Sequence, residues 1–250
     1  MRGVCLSKTE LILGDCLNEL PKIFDKNIDL VLTDPPYGTT ACKWDFVIPF
    51  EPMWKELKRI VKDNSVIALF GSEPFSSNLR MSNIKNYKYD WLWDKVNPSG
   101  FQLAKYQPLR LIENIIIFGY NKTNYYPIKT PRDKIKTSKH YGNSSESNPL
   151  SKIDDGFKRS YKEYFPKNVL KFSNANRTNR KHPTQKPVAL LEYLIKTYTN
   201  ENDTVLDFTM GSGSTGVACK NLNRNFIGIE KDENYYNIAK QRIEGGFVLK

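Results

Sequence analysis

Histidine is scarce in this sequence, with two in 250 residues, and the four cysteines (Cys5, Cys16, Cys42, Cys219) are scattered without a Cys-x-x-Cys pair. A zinc or other metal site is therefore not expected, and isolated cysteines suit a reducing, cytoplasmic setting. No apolar run reaches membrane-spanning length and no signal-peptide core opens the chain, so no membrane partner is expected. Acid is also in short supply. Asp and Glu number 27 against 38 Lys and Arg, a formal charge of +11. Such an excess favours a polyanionic partner. The length allows one large domain, or a domain with an insert.

The positive surplus is local. Residues 121–180 hold fourteen Lys/Arg and five Asp/Glu, a surplus of nine out of eleven. Tyr125, Tyr126, Tyr141, Tyr161 and Tyr164 interleave with these charges, and apolar periodicity is weak. Composition leaves two readings open here: a disordered surface loop, or a nucleic-acid contact module with cations for phosphates and aromatics for bases.

What is abundant elsewhere is α/β pattern. Apolar runs at 10–13, 28–32, 65–70, 87–93, 111–118, 204–207 and 225–229 read as strands. Residues 52–62, 188–198, 214–222 and 232–243 carry helical periodicity. The run Ile28-Asp29-Leu30-Val31-Leu32 ends in Thr33-Asp34-Pro35-Pro36-Tyr37-Gly38. Each proline fixes its own φ and disfavours helix in the residue before it. Asp34 is thus held extended at a strand's carboxyl end, where open α/β sheets bind ligands. Tyr37 can stack on a flat ring, while the Asp34 carboxylate and the Pro35 carbonyl can accept hydrogen bonds from an exocyclic amine. Trp44 and Phe46 are weaker candidates for the same wall.

A second motif lies near the other end. Residues 204–230 form a strand, glycine loop, helix, strand and acid. Gly211, Gly213 and Gly216 have the spacing of a nucleotide-binding turn, and Glu230 follows nineteen residues after Gly211, placed to accept both hydroxyls of a ribose. About one helix of chain remains after Glu230, so the rest of the sheet must come from upstream. The strand ending at Gly14-Asp15 then becomes the third strand and the one before Asp34 the fourth. This predicts a circularly rotated, doubly wound Rossmann-like sheet. Asp15 falls where it can accept from an adenine amine of the cofactor.

In these motifs and their order the sequence resembles the S-adenosylmethionine-dependent amino-methyltransferases of DNA, beta subgroup. The resemblance covers most of residues 10–243 outside 121–180. It implies S-adenosyl-L-methionine as cofactor, double-stranded DNA as partner, and a methyl transfer to the N6 amine of adenine in a flipped-out base. The expected division is 1–120 as the catalytic part, 121–180 as a basic target-recognition insert, and 181–250 as the cofactor-binding part of the same core. By resemblance Asp34, Pro35, Pro36 and Tyr37 are catalytic. The cofactor set is Asp15, Cys16, Asp34, Asp207, Phe208, Gly211, Gly213 and Glu230. Lys181-His182-Pro183-Thr184-Gln185-Lys186-Pro187 adds Thr184, Gln185 and Lys186 at the methionine end. The cofactor loop departs from the common Asp-Pro-Phe-x-Gly-Ser-Gly-Thr-Thr, reading Asp207-Phe208-Thr209-Met210-Gly211-Ser212-Gly213-Ser214-Thr215. Neither Cys16 nor Cys42 has a setting for covalent attack on a pyrimidine.

Three other readings stay open. One is the same reaction at the N4 amine of cytosine, with a first-position Asp leaning toward adenine and Ser toward cytosine. Another is a non-catalytic DNA-binding module on this fold, and the last an NAD-dependent enzyme. A homodimer and a cognate restriction endonuclease are partners that the resemblance suggests.

Overall fold

A computed structural model describes residues 8–38, 46–139, 158–174 and 185–245. The chain forms two compact units, Met1–Tyr126 with Asn168–Lys250, and Pro127–Lys167.

The larger unit is built on an eight-stranded sheet. In chain order its strands are β1 (Thr9–Leu13), β2 (Ile28–Thr33), β3 (Val61–Gly71), β4 (Tyr87–Ser99), β5 (Arg110–Phe118), β8 (Val169–Lys171), β9 (Thr204–Asp207) and β10 (Asn225–Glu230). Across the sheet they run β1-β10-β9-β2-β3-β5-β4-β8. The first five are parallel, β5 is antiparallel to both its neighbours, and β8 pairs parallel with β4. The rotated order expected from the sequence is therefore the order observed: β9 and β10, late in the chain, sit between β1 and β2.

Alternate residues of the central strands face opposite cores. Leu30, Leu32, Val66, Ala68 and Phe70 meet α4 (Val188–Tyr198), α5 (Ser214–Asn221) and α6 (Glu233–Glu244). Val31, Ile67, Leu69, Leu206 and Ile229 meet α1 (Cys16–Glu19), α2 (Phe50–Ile60) and α3 (Phe75–Ser82). Helices on both faces explain why these strands read as continuous apolar runs. The helix after β9 packs on one face and the helix after β2 on the other. The β9–β2 boundary is thus the point where the winding reverses, and there the carboxyl ends of an open sheet form a crevice.

Three segments differ from the pattern-based reading, one of them the stretch 121–180, whose weak periodicity gave no strands although β8 lies within it. Residues 72–86 carried no expected element, yet α3 lies there. It is only eight residues long, opens after Pro74, and buries Phe75, Ser76 and Leu79, too short a stripe to show a period. Residues 94–110 read as a loop, yet β4 continues to Ser99 through a break in register after Asp94, and a 3-10 turn covers Phe101–Leu103. The polar sequence Asp94-Lys95-Val96-Asn97-Pro98 hides that extension.

The smaller unit holds a two-stranded antiparallel ladder, β6 (Thr130–Lys139) and β7 (Lys158–Tyr164). Its cations lie on its aromatics: Arg132 stacks 3.8 Å from the Tyr164 ring centre, and Lys129 lies 4.9 Å from that of Phe165. Residues beside it in sequence belong to the larger unit. Tyr126 donates its backbone N–H to the Thr197 carbonyl at the end of α4, and its hydroxyl accepts from Asn200. Among the described residues no helix is long and apolar enough to cross a membrane, and no group of three or more His, Cys, Asp or Glu could hold a metal.

Candidate active site

The carboxyl ends of β1, β10, β9 and β2 open into one cleft with about 980 Å³ of empty space, part of it continuous with solvent. Its walls include Asp15, Cys16, Asp34, Pro36, Gln185, Lys186, Asp207, Phe208, Gly211 and Glu230. The rigid acidic corner after β2 and the glycine turn after β9 therefore share a cavity.

Side chains tie those two segments together. The Thr33 hydroxyl donates to Asp207 Oδ1 (3.1 Å) and accepts the Phe208 N–H (3.1 Å). The Thr209 hydroxyl donates to the Asp34 carbonyl (3.1 Å). Asp207 also accepts from the Thr215 hydroxyl (2.6 Å) and the Thr209 N–H (3.2 Å). Burial raises its pKa to about 7 against the pull of these donors, with the nearby Asp34 charge adding to the rise.

Glu230 ends β10. One carboxylate oxygen accepts the Gly211 N–H and the other the Asp232 N–H, at 2.8 and 2.9 Å. Burial raises its pKa and these two N–H groups partly offset the rise. Gly211 is in the left-handed region, φ 50°, which glycine adopts without cost. Asp15 caps α1 through the Leu17 N–H (2.9 Å) and lines the same cleft. The Cys16 thiol is pushed up to about 11 by burial and by the Asp15 charge, so it stays protonated.

Gly213 is not among the cleft-lining residues. It precedes α5 at φ 77°, and a Cβ there would stand 2.8 Å from the Cβ of Ala239. The missing side chain lets α6 pack close. Phe46 lines the cleft and is largely exposed. Trp44, Cys42, His182 and Thr184 lie outside the described residues.

At the acidic corner the Tyr37 hydroxyl donates to Asp34 Oδ1 (2.5 Å), and the Tyr37 ring stacks on Phe75 with centres 5.0 Å apart. Lys186 Nζ sits 2.7 Å from Asp34 Oδ2 and 3.3 Å from Glu113 Oε2. Lys95 in turn sits 3.1 Å from Glu113 Oε1. Burial pushes the Asp34 carboxyl up, while the Lys186 charge and hydrogen bond and the Tyr37 hydroxyl pull it back. Motif reading missed Glu113 and Lys95. The available signal was a lone acid inside the apolar run Leu111–Phe118, because unpaired charge is seldom buried.

The site can hold a nucleoside. Asp15 and Glu230 offer carboxylate acceptors for an amine and for ribose hydroxyls, and Phe208, Leu191 and Ile48 supply apolar wall for a ring. Fold and cleft together define a Rossmann-like protein of the nucleoside-cofactor kind, with an acidic corner opening into the same cleft. A DNA methylase family profile matches residues 28–241. The type II methyltransferase M2.LlaDCHI of Lactococcus lactis subsp. cremoris is 30% identical over 94% of this chain and 89% of its own. A crystal structure of an M1.HpyAVI–SAM complex aligns with a TM-score of 0.65 and 27% identity, covering 94% of this chain and 98% of that one. PvuII DNA methyltransferase, cytosine-N4-specific, shares the fold with a TM-score of 0.66 at 18% identity, over 94% of this chain and 86% of that one. The chain belongs to the S-adenosylmethionine-dependent DNA amino-methyltransferases.

Proposed function

We propose that the chain is a site-specific adenine methyltransferase, acting at the exocyclic N6 amine of a base swung out of a DNA duplex. The observation that carries this is the shared cleft, with Asp34 on one wall and Gly211 and Glu230 on another. The aspartate at the first position of Asp34-Pro35-Pro36-Tyr37 supports adenine, since a serine there accompanies cytosine in this family's pattern.

Bound S-adenosylmethionine supplies a methyl group already activated on a sulfonium. Asp15, Glu230, Gly211 and Phe208 would hold it, with Gln185 beside them. What remains for the chain is alignment and exclusion of water. A stacked base cannot reach the cleft, so it must leave the helix. Tyr37, backed by Phe75, is a supported wall for the base ring. Asp34 and the Pro35 carbonyl accept the two amine hydrogens, drawing the nitrogen toward tetrahedral geometry and aiming its lone pair. The nitrogen gives up one proton for the methyl it gains, and the Asp34 carboxylate, already at the amine, can take it. The basic β6–β7 unit supplies cations for the phosphates. Dimerisation and a partner endonuclease fit this role but bear on none of these steps.

Asp34→Ala should abolish methyl transfer and leave cofactor binding largely intact by calorimetry. Methylated DNA digested to nucleosides should yield N6-methyl-2′-deoxyadenosine. N4-methyl-2′-deoxycytidine would overturn the choice of base, and normal turnover by Asp34→Ala would overturn the role of Asp34.

A further inference from the structure

Glu113 is the one acid on β5, and both its oxygens face cations. Lys95 is 6% exposed, and it turns inward because β4 bulges beside it. Val96 takes φ 66°, a left-handed conformation that a branched residue seldom adopts, and its N–H is held by the Asp94 side chain at 2.8 Å. Bulges re-aim side chains next to active sites. Here the bulge puts a second cation behind Glu113. The result is a row of alternating charge, Asp34–Lys186–Glu113–Lys95, at 2.7, 3.3 and 3.1 Å. Its sum is zero, as half-buried ions require, because an unmatched charge here would be expelled or neutralised.

We propose that Lys186 is the counter-ion of the amine-binding carboxylate, not a holder of the cofactor's methionine end, and that Glu113, set by Lys95, is the positioning residue that seats it. The proposal rests on the reading of Asp34 as amine acceptor and deepens it. With Lys186 on Oδ2 and the Tyr37 hydroxyl on Oδ1, the carboxylate is oriented before a base arrives. Lys186 and Tyr37 both favour its ionised form, against the burial that favours the protonated one. Burial pushes Asp34 up, Lys186 and Tyr37 pull it down, and Glu113 pushes it up again. Burial alone would lower Lys186, yet the charges of Asp34 and Glu113 hold it above its ordinary value. Glu113 is pushed up by burial and carried below its ordinary value by Lys186 and Lys95. Asp207 also faces Asp34, with like charge.

Two substitutions then move one titration in opposite directions. Lys186→Met removes the opposite charge, so Asp34 ionises later. Glu113→Gln keeps an acceptor for Lys186 but removes a like charge, so Asp34 ionises earlier. The experiment follows the acidic limb of single-turnover methyl transfer against pH, together with ¹³C titration of the Asp34 carboxyl in the cofactor-free protein. Lys186→Met should raise both midpoints by about one pH unit or more. Glu113→Gln should lower both, and Lys186→Arg should stay near the native limb. Variants that lose rate with unmoved midpoints would overturn the proposal, as would a Lys186→Met protein whose defect is weaker cofactor binding. If Lys186→Met does not fold, the downward shift in Glu113→Gln decides alone. Failure of the underlying reading looks different: Asp34→Ala would then keep its turnover.

Discussion

Replacing Asp207 by asparagine should flatten the pH dependence of stability. Asp207 is 4% exposed, and its carboxyl is raised from 3.8 to about 7. A carboxyl raised in the folded state binds its proton more tightly there than in the unfolded chain. The stability it gives is therefore fully present below pH 4 and is lost as pH rises to 7. The slope is about 1.4 kcal/mol per pH unit, which sums to ~4 kcal/mol over the window and ~2.5 kcal/mol between pH 5 and 7.5. The protonated form is accommodated because two of the three partners are the hydroxyls of Thr33 and Thr215, which can accept as well as donate. Asparagine has nearly the same shape and does not titrate. Its absolute effect combines lost charge-assisted bonds with relief from burying a charge, so the slope is the informative quantity.

Urea unfolding of both proteins at half-unit steps from pH 5 to 8 measures it. Asp34 and Glu230 are also raised by burial and tilt both curves in the same sense. The difference between the curves isolates Asp207. It should shift in favour of the variant by about 2.5 kcal/mol across that range. Parallel curves would refute the reasoning, and would mean that the three donors keep Asp207 ionised throughout.

Gly213→Ala should cost about 1–2 kcal/mol for its left-handed φ and ~1–3 kcal/mol for overlap with Ala239. Adding Ala239→Gly should recover at most a fraction of the second part in thermal melts, because the Ala239 Cα and Ile243 Cδ1 still lie 3.0 Å from the new Cβ and glycine within a helix costs about 1 kcal/mol. Tyr198→Phe should cost about 1–3 kcal/mol, because the buried Tyr198 hydroxyl accepts from Trp91 Nε1 at 2.6 Å and, among the described residues, no other acceptor is paired with that N–H. Unfolding in denaturant with an unchanged slope would check it. Replacing Lys129, Lys134 and Lys136 by glutamine should weaken binding of any DNA duplex. The slope of log affinity against log salt should fall by up to about 0.9 for each phosphate no longer neutralised. An unchanged slope would remove the β6–β7 unit from the DNA interface.

The central parallel strands β2, β3, β9 and β10 were legible because both their faces are largely buried, so composition marks them. The rotated order was legible from the order of the two motifs along the chain, with the acidic corner before the glycine turn, and the ladder has β9 and β10 between β1 and β2. Lys186 shows where legibility stops. In sequence it sits in a segment that leads into the cofactor strand, and that neighbourhood suggested a cofactor role. Its charged partners are Asp34 and Glu113, both far away along the chain, and they meet it only after β2 and β5 are placed in one sheet. Gly213 shows the same limit from the other side. Its spacing suggested a ligand, and the structure adds a packing demand that spacing does not show: the atom nearest to its missing side chain belongs to Ala239 on the last helix. A motif records which residues recur near a site, and it does not say which of them face the ligand and which hold the wall.

The chain's rotated order raises the question of what keeps two sequence-distant halves in register at the site. Backbone pairing between β2 and β9 is short, with Leu30 against Val205 and Val31 against Leu206. Past those pairs the strands continue toward the cleft, and side chains take over from the ladder. Thr33 bridges to Asp207 and Phe208, and Thr209 bridges to the Asp34 carbonyl. Each of these bonds crosses between the acidic corner and the cofactor loop. On the proposed reaction, transfer depends steeply on the separation of methyl donor and amine, and these hydroxyls fix the spacing of the two walls that would hold them. The same bonds explain why an aspartate with a pKa near neutrality persists at position 207: its acceptors are the fixed end of the bridge, and an apolar residue would leave Thr33, Thr209 and Thr215 without it.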